Sequence, residues 1–148
     1  MKSLQNIRAA FQRVPANRFL GFQLLSRSSN EAVVAMEIVP EHTQETGVVH
    51  GALLTAVADT ASVYVLYPDL PETHSIASIE FKMNFLRPAQ VNGGRVLARA
   101  KALRRGRNVG VCEVDVMQGD DLVAKGLFTY LFSKRTDSDN IESNLTTG

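Results

Sequence analysis

Hydrophobic and polar positions divide this chain into segments of two periods. In LQNIRAAFQR, residues 4–13, the apolar positions Leu4, Ile7, Ala10 and Phe11 recur three or four apart, which predicts a short amphipathic helix ended by Pro15. Residues 20–29 and 31–39 predict two strands joined at Ser29-Asn30. The second, EAVVAMEIV, is rich in β-branched residues and stops at Pro40. Residues 41–50 predict a loop. From Gly51 to about Tyr67 the period is helical again, with Leu54, Val57, Ala58, Ala61 and Val65 on one side, and Pro68 and Pro71 close the segment. The many alanines in this run predict a helix embraced closely by its surroundings.

After that helix the period drops to two. In IASIEFKMNFLR, residues 76–87, Ala77, Ile79, Phe81, Met83 and Phe85 alternate with Ser78, Glu80, Lys82 and Asn84, which predicts a long strand with one apolar face. Three further strands are predicted at 95–103, 108–117 and 122–132, separated by the hairpin loops Arg104-Arg105-Gly106-Arg107 and Gln118-Gly119-Asp120-Asp121. Residues 134–148 are polar and aperiodic and predict a disordered tail. A single helix this apolar needs cover on nearly every side, and an antiparallel sheet curled around it supplies that cover. The expected organisation is one α+β domain over residues 1–133.

Composition narrows the class. The chain has 148 residues, 45% of them hydrophobic, enough for a core without disulfides or metal. Sixteen Lys and Arg stand against fifteen Asp and Glu, so no global charge draws the chain to nucleic acid or a membrane. One cysteine, Cys112, excludes an internal disulfide and fits a reducing compartment. With no signal-peptide core and no membrane-length apolar run, the expected location is cytoplasmic.

The motif around the central helix resembles that of the PaaI-like (phenylacetate-pathway-type) acyl-CoA thioesterases, and the layout resembles their hotdog fold. The residues that carry the resemblance are Gly47, His50, Gly51 and Asp59 at the family's spacing, with Phe85-Leu86-Arg87-Pro88-Ala89 closing the strand after the helix. It covers about residues 16–133. Two positions depart from the pattern. Gln44 stands where the family has Asn, keeping the amide one methylene further out, and Ala52 replaces the second glycine of the usual pair. The resemblance implies hydrolysis of an acyl-CoA thioester to a carboxylate and free CoA, in a homodimer that shares two sites and assembles further to a tetramer. It also implies that Ser78 helps hold the attacking water beside Asp59.

The residues themselves carry the following chemistry. A helix start leaves backbone N–H groups without intrahelical partners, and Gly51 would let a thioester carbonyl approach them as an oxyanion develops. Gly51 could equally just ease the turn into the helix. Asp59 is eight residues further on, roughly 12 Å along a helix axis. If both act on one thioester, Asp59 must come from an antiparallel partner protomer, as general base or as nucleophile. The competing reading is a solvated polar stripe, Thr55, Asp59 and Ser62. His50 would orient the loop or bond the substrate carbonyl, and Gln44 would contact the thioester through its amide. Arg104, Arg105 and Arg107 are candidates for the phosphates of CoA, against the alternative of a solvated hairpin tip. CoA is part of the substrate, so no cofactor is expected. His42, His50 and His74 have no metal-ligand spacing, and no metal is expected either. Two rival functions stand: a non-catalytic acyl-CoA-binding module, and a hydratase or dehydratase, for which His50 and Asp59 are poorly spaced.

Overall fold

The computed structural model describes residues 2–136. The chain runs α1 (Leu4–Arg13), α2 (Pro15–Phe19), β1 (Phe22–Arg27), β2 (Glu31–Met36), α3 (Gly51–Leu66), β3 (His74–Phe85), β4 (Val96–Arg105), β5 (Val109–Gln118) and β6 (Asp121–Lys134). The six strands form one sheet in the order β1-β2-β4-β5-β6-β3, and every neighbouring pair is antiparallel. After β2 the chain must reach the far edge of the sheet to become β3, and α3 makes that crossing over the concave face. This is the hotdog fold.

The core is the seam between α3 and the inner faces of the strands. Leu54, Val57, Ala58, Ala61, Val65 and Leu66 of α3 are buried together with Val34, Met36, Ala98, Ala100, Val114, Val116, Phe128 and Phe132. The small alanines of α3 let the sheet close around it. Cys112 lies in this core beside Ser62, with Sγ 3.9 Å from the Ser62 carbonyl, as its place in the β5 alternation predicts. Ser3 caps α1 through Oγ, which accepts from the Asn6 N–H at 3.2 Å, and Ile7 and Phe11 are the residues α1 buries. Pro15 does end α1, but it also opens α2, because a proline at the first helical position lacks only an N–H that would have no partner there.

The last turn of α3 contains no basic residue of its own. The carbonyls at this end are met from the sheet instead. Arg27 donates to the Tyr64 and Val65 carbonyls at 3.2 and 3.3 Å, and Arg105 donates to those of Val65, Leu66 and Ser29. Asp69 pairs with Arg27 at 2.5 Å and with Arg105 at 3.5 Å. Two guanidinium groups therefore hold the negative end of the central helix.

Strict alternation does not hold along β3. Ser78 pairs with Tyr130 and Glu80 with Thr129, so Ile79 is an extra residue, a β-bulge. One extra residue exchanges the two faces of a strand. Ser78 and Phe81 therefore lie on the same inner face, where alternation from Phe81 predicts Ala77 and Ile79. Phe81 stacks on the buried Phe128 with ring centroids 5.5 Å apart. β6 ends at Lys134, and Arg135 bonds to the Thr73 carbonyl and the Tyr67 hydroxyl, so order continues past the expected boundary at 133. Residues 137–148 of the expected tail lie outside the described residues.

Candidate active site

At the start of α3, Gln44 to Gly47 form a tight turn. The Gln44 N–H bonds the Val48 carbonyl at 2.9 Å and the Gly47 N–H bonds the Gln44 carbonyl at 3.1 Å. Gly47 has φ +74°, which an L side chain rarely adopts, so glycine is required there. The turn is tied to the segment after β3 by bonds from Val49 to Ala89, 2.8 Å, and from Val91 to Gly47, 3.0 Å. Buried Gln118 fastens that segment in turn. Its amide accepts from the Gln90 N–H at 2.8 Å and donates to the Gln90 and Gly94 carbonyls at 2.7 and 2.8 Å. The result is a cavity of about 350 Å³ that gathers Gln44, Gly51 and Phe85 to Ala89.

His50 is the N-cap of α3: its Nδ1 accepts from the Ala52 N–H at 3.1 Å. An Nδ1 that accepts leaves Nε2 as the protonated nitrogen of a neutral ring, and the side chain is exposed. The Leu53 N–H bonds the His50 carbonyl at 3.0 Å. Of the first N–H groups of α3, Ala52 and Leu53 are thus committed. The one left for a ligand is that of Gly51, which at the first helical position has no intrahelical acceptor. The helix start offers one donor, fewer than its sequence suggests, with the exposed His50 Nε2–H beside it. Gly51 also has a packing reason: a Cβ there would sit 3.0 Å from the Phe85 ring.

Asp59 opens onto a different cavity, about 480 Å³, lined by Ala52, Thr55, Ala56, Asp59, Ser78 and Phe81. The β3 bulge is what delivers Ser78 there. Asp59 is half-buried, and the Tyr130 hydroxyl donates to its Oδ1 at 2.7 Å. The solvated polar stripe does not form. Ser62 is fully buried and turns its hydroxyl back to the Ala58 carbonyl at 3.0 Å, and Thr55 does the same to Gly51 at 3.1 Å. Tyr130 escaped the sequence reading because a tyrosine alternating with Phe128 and Phe132 looks like core, which it also is. Burial, then the Asp59 charge and the bond to it, push its phenol well above the usual range, so it stays protonated as a donor.

The hairpin arginines divide. Arg105 is engaged with the α3 carbonyls and Asp69. Arg104, in the last residues of β4, and Arg107, in the loop after it, are exposed, so the hairpin loop begins at Gly106 and not at the expected Arg104. His42 and His74 stand apart from both cavities: His42 Nδ1 accepts from the Val39 N–H at 3.4 Å, and His74 Nδ1 lies 3.1 Å from the Thr73 hydroxyl. Among the described residues, no three His, Cys, Asp or Glu gather where they could hold a metal ion. No helix of the described residues is long and apolar enough to cross a membrane.

A family model described as the thioesterase superfamily matches residues 46–125, the span that holds His50, Gly51, Asp59 and Ser78. The chain belongs to the thioesterase superfamily. This thioesterase is 23% identical over 108 residues to acyl-coenzyme A thioesterase 13 of Mus musculus, covering 72% of this chain and 76% of that one. Among solved structures, a mutant of the phenylacetic acid degradation protein PaaI from Thermus thermophilus is similar at a TM-score of 0.72 and 30% identity, over 79% of this chain and 97% of that one. A thioesterase from Haemophilus influenzae shares the fold at a TM-score of 0.81 and 24% identity, over 90% and 92%. The activity of this thioesterase is thioester hydrolysis, and its matched span includes both the start of α3 and the Asp59 cavity.

Proposed function

We propose that the thioesterase hydrolyses acyl-CoA, in a site built by two copies of the chain. The observation that carries the reading is the division of the candidate residues between two cavities along one helix. Gln44, His50 and Gly51 belong to the start of α3, and Asp59 and Ser78 to a groove eight residues on, roughly 12 Å along the axis. Neither half can perform the reaction alone. An antiparallel second α3 brings the Asp59 groove of one protomer to the Gly51 cavity of the other, twice per dimer.

Further support comes from β3. It is an edge strand of 12 residues, and Ile79, Phe81 and Phe85 of this strand are more than half exposed. A long apolar edge invites pairing, and a second copy covers it. Whether two such dimers join as a tetramer is a separate expectation, read by sedimentation.

In that site the thioester carbonyl lodges against the Gly51 N–H, with the Gln44 amide and the His50 Nε2–H in reach. The donors stabilise negative charge as the carbonyl carbon becomes tetrahedral. The partner's Asp59 either takes a proton from a water held by the partner's Ser78, and that water attacks the carbonyl, or attacks the carbonyl itself to form a mixed anhydride. Collapse of the tetrahedral species breaks the C–S bond and CoA leaves as the thiolate; on the second route a water then hydrolyses the anhydride and frees Asp59. Either way the acyl group departs as a carboxylate and a proton from the water goes to the thiolate or to solvent. Arg104 and Arg107 are the cations proposed for the CoA phosphates. The acyl-CoA specificity named for the Mus musculus relative agrees with this reading. The experiment is a panel of acyl-CoAs with free-thiol detection. Thiol release that saturates with acyl-CoA supports it. Tight binding of the whole panel without thiol release overturns it in favour of a binding module.

A further inference from the structure

Asp59 has a partner with no part in the chemistry described so far. Tyr130 stands on β6 and is fully buried, between the inner-face residues Phe128 and Phe132 of its own strand. A buried phenol needs an acceptor. The Asp59 backbone carbonyl is 3.1 Å away, yet the shorter contact, 2.7 Å, is to the carboxylate oxygen Oδ1. Tyr130 is also the direct cross-strand neighbour of Ser78. The bulge at Ile79 sets Ser78 on the inner face, so both hydroxyls approach α3 from the same side of the sheet. Since the ring is locked in the core, the hydroxyl is a fixed point.

We infer that Tyr130 is a positioning residue for the hydrolysis. Its hydroxyl holds Oδ1 of Asp59, so that Oδ2 is the oxygen presented to the groove shared with Ser78. A carboxylate on a helix has several side-chain orientations, and only one places the reacting oxygen on the water or the thioester carbon. Fixing that orientation before substrate arrives removes a step from every turnover. The phenol gives up no proton in the reaction. This inference rests on Asp59 being the reacting carboxylate.

The test is a double-mutant cycle on the full chain, with Tyr130→Phe and Asp59→Asn made singly and together. Tyr130→Phe keeps the ring and deletes the donor. Expected is a fall in kcat of about 10- to 100-fold, with KM unchanged. On the residual rate of Asp59→Asn, the same change is expected to do almost nothing, because the group it positions is already gone. A structural role would lower both backgrounds equally, and multiplicative losses overturn the inference, as does a wild-type kcat in Tyr130→Phe. Full activity of Asp59→Asn itself overturns the reading of Asp59, a result distinct from either. Proton NMR supplies a measurement that does not depend on Tyr130→Phe folding. The hydroxyl proton of Tyr130 is expected as a downfield, slowly exchanging signal that Asp59→Asn displaces. Its insensitivity to Asp59→Asn would remove the contact on which the inference stands.

Discussion

His50 can be asked two questions with two substitutions. Its Nδ1 caps α3 by accepting from Ala52, and its exposed Nε2–H is the donor proposed for the thioester carbonyl. Asparagine is a favoured N-cap and its side-chain oxygen can take over the bond to Ala52, but it has no group where Nε2 stands. Alanine removes both functions. The cap is worth about 1 kcal/mol, which for a chain of 148 residues corresponds to roughly 2–4 °C in Tm. A donor to a developing oxyanion is worth about 10²–10³ in kcat. His50→Asn is therefore expected to keep Tm and lose activity by that order. His50→Ala should lose the same activity and a few degrees as well. Thermal unfolding at equal protomer concentration and steady-state thiol release measure the two effects separately. If His50→Asn retains wild-type kcat, the imidazole is a cap and nothing more, and the carbonyl must be met by Gly51 and Gln44 alone.

Other outcomes follow from the same geometry. Gln44→Ala is expected to lower kcat without changing Tm, since the turn is held by backbone bonds, while Gln44→Asn keeps much of the rate; equal rates for Gln44→Ala and wild type would reduce Gln44 to a loop residue. Cys112 is fully buried, and burial raises its thiol to about 12, so the thiol is protonated below that pH and a thiol reagent at pH 8 should count no cysteine in the native protein and one after denaturation. Gly110→Ala puts a Cβ 2.5 Å from the Phe132 ring and 2.8 Å from Leu66, and denaturant titration should show a loss of about 1–3 kcal/mol.

What could be read from the residues, and what could not, has a common physical cause. The central helix was legible from end to end because its apolar spacing, the glycine at its start and the prolines after it are all local signals. Its observed span, Gly51–Leu66, stops one residue short of the expected end. α1 was legible from local signals too, and its observed span, Leu4–Arg13, is the expected one. Features made by distant partners were not legible. The Ile79 bulge leaves no mark in an alternating sequence, yet it decides that Ser78 lines the cavity onto which Asp59 opens. Arg105 reads as a hairpin cation until the fold brings it to the carbonyls at the end of α3, and Gln118 reads as part of a turn until it clamps Gln90 and Gly94. Tyr130 is 71 residues from Asp59, and only the closure of the sheet around α3 makes them neighbours.

The claim on which the rest depends is that each active site takes Gly51 from one protomer and Asp59 from the other, and mixing two dead proteins tests it. Asp59→Asn removes the carboxylate proposed to react. Gly51→Pro removes the free N–H at a position where proline suits a helix start, with the half-exposed Phe85 ring as the neighbour that must shift. Each homodimer should be inactive. A mixed dimer contains one intact site, with Gly51 from the first protein and Asp59 from the second. Random co-refolding makes half the dimers mixed, so thiol release should recover to about a quarter of the wild-type rate per protomer. Verified mixed dimers that remain inactive would contradict the shared site.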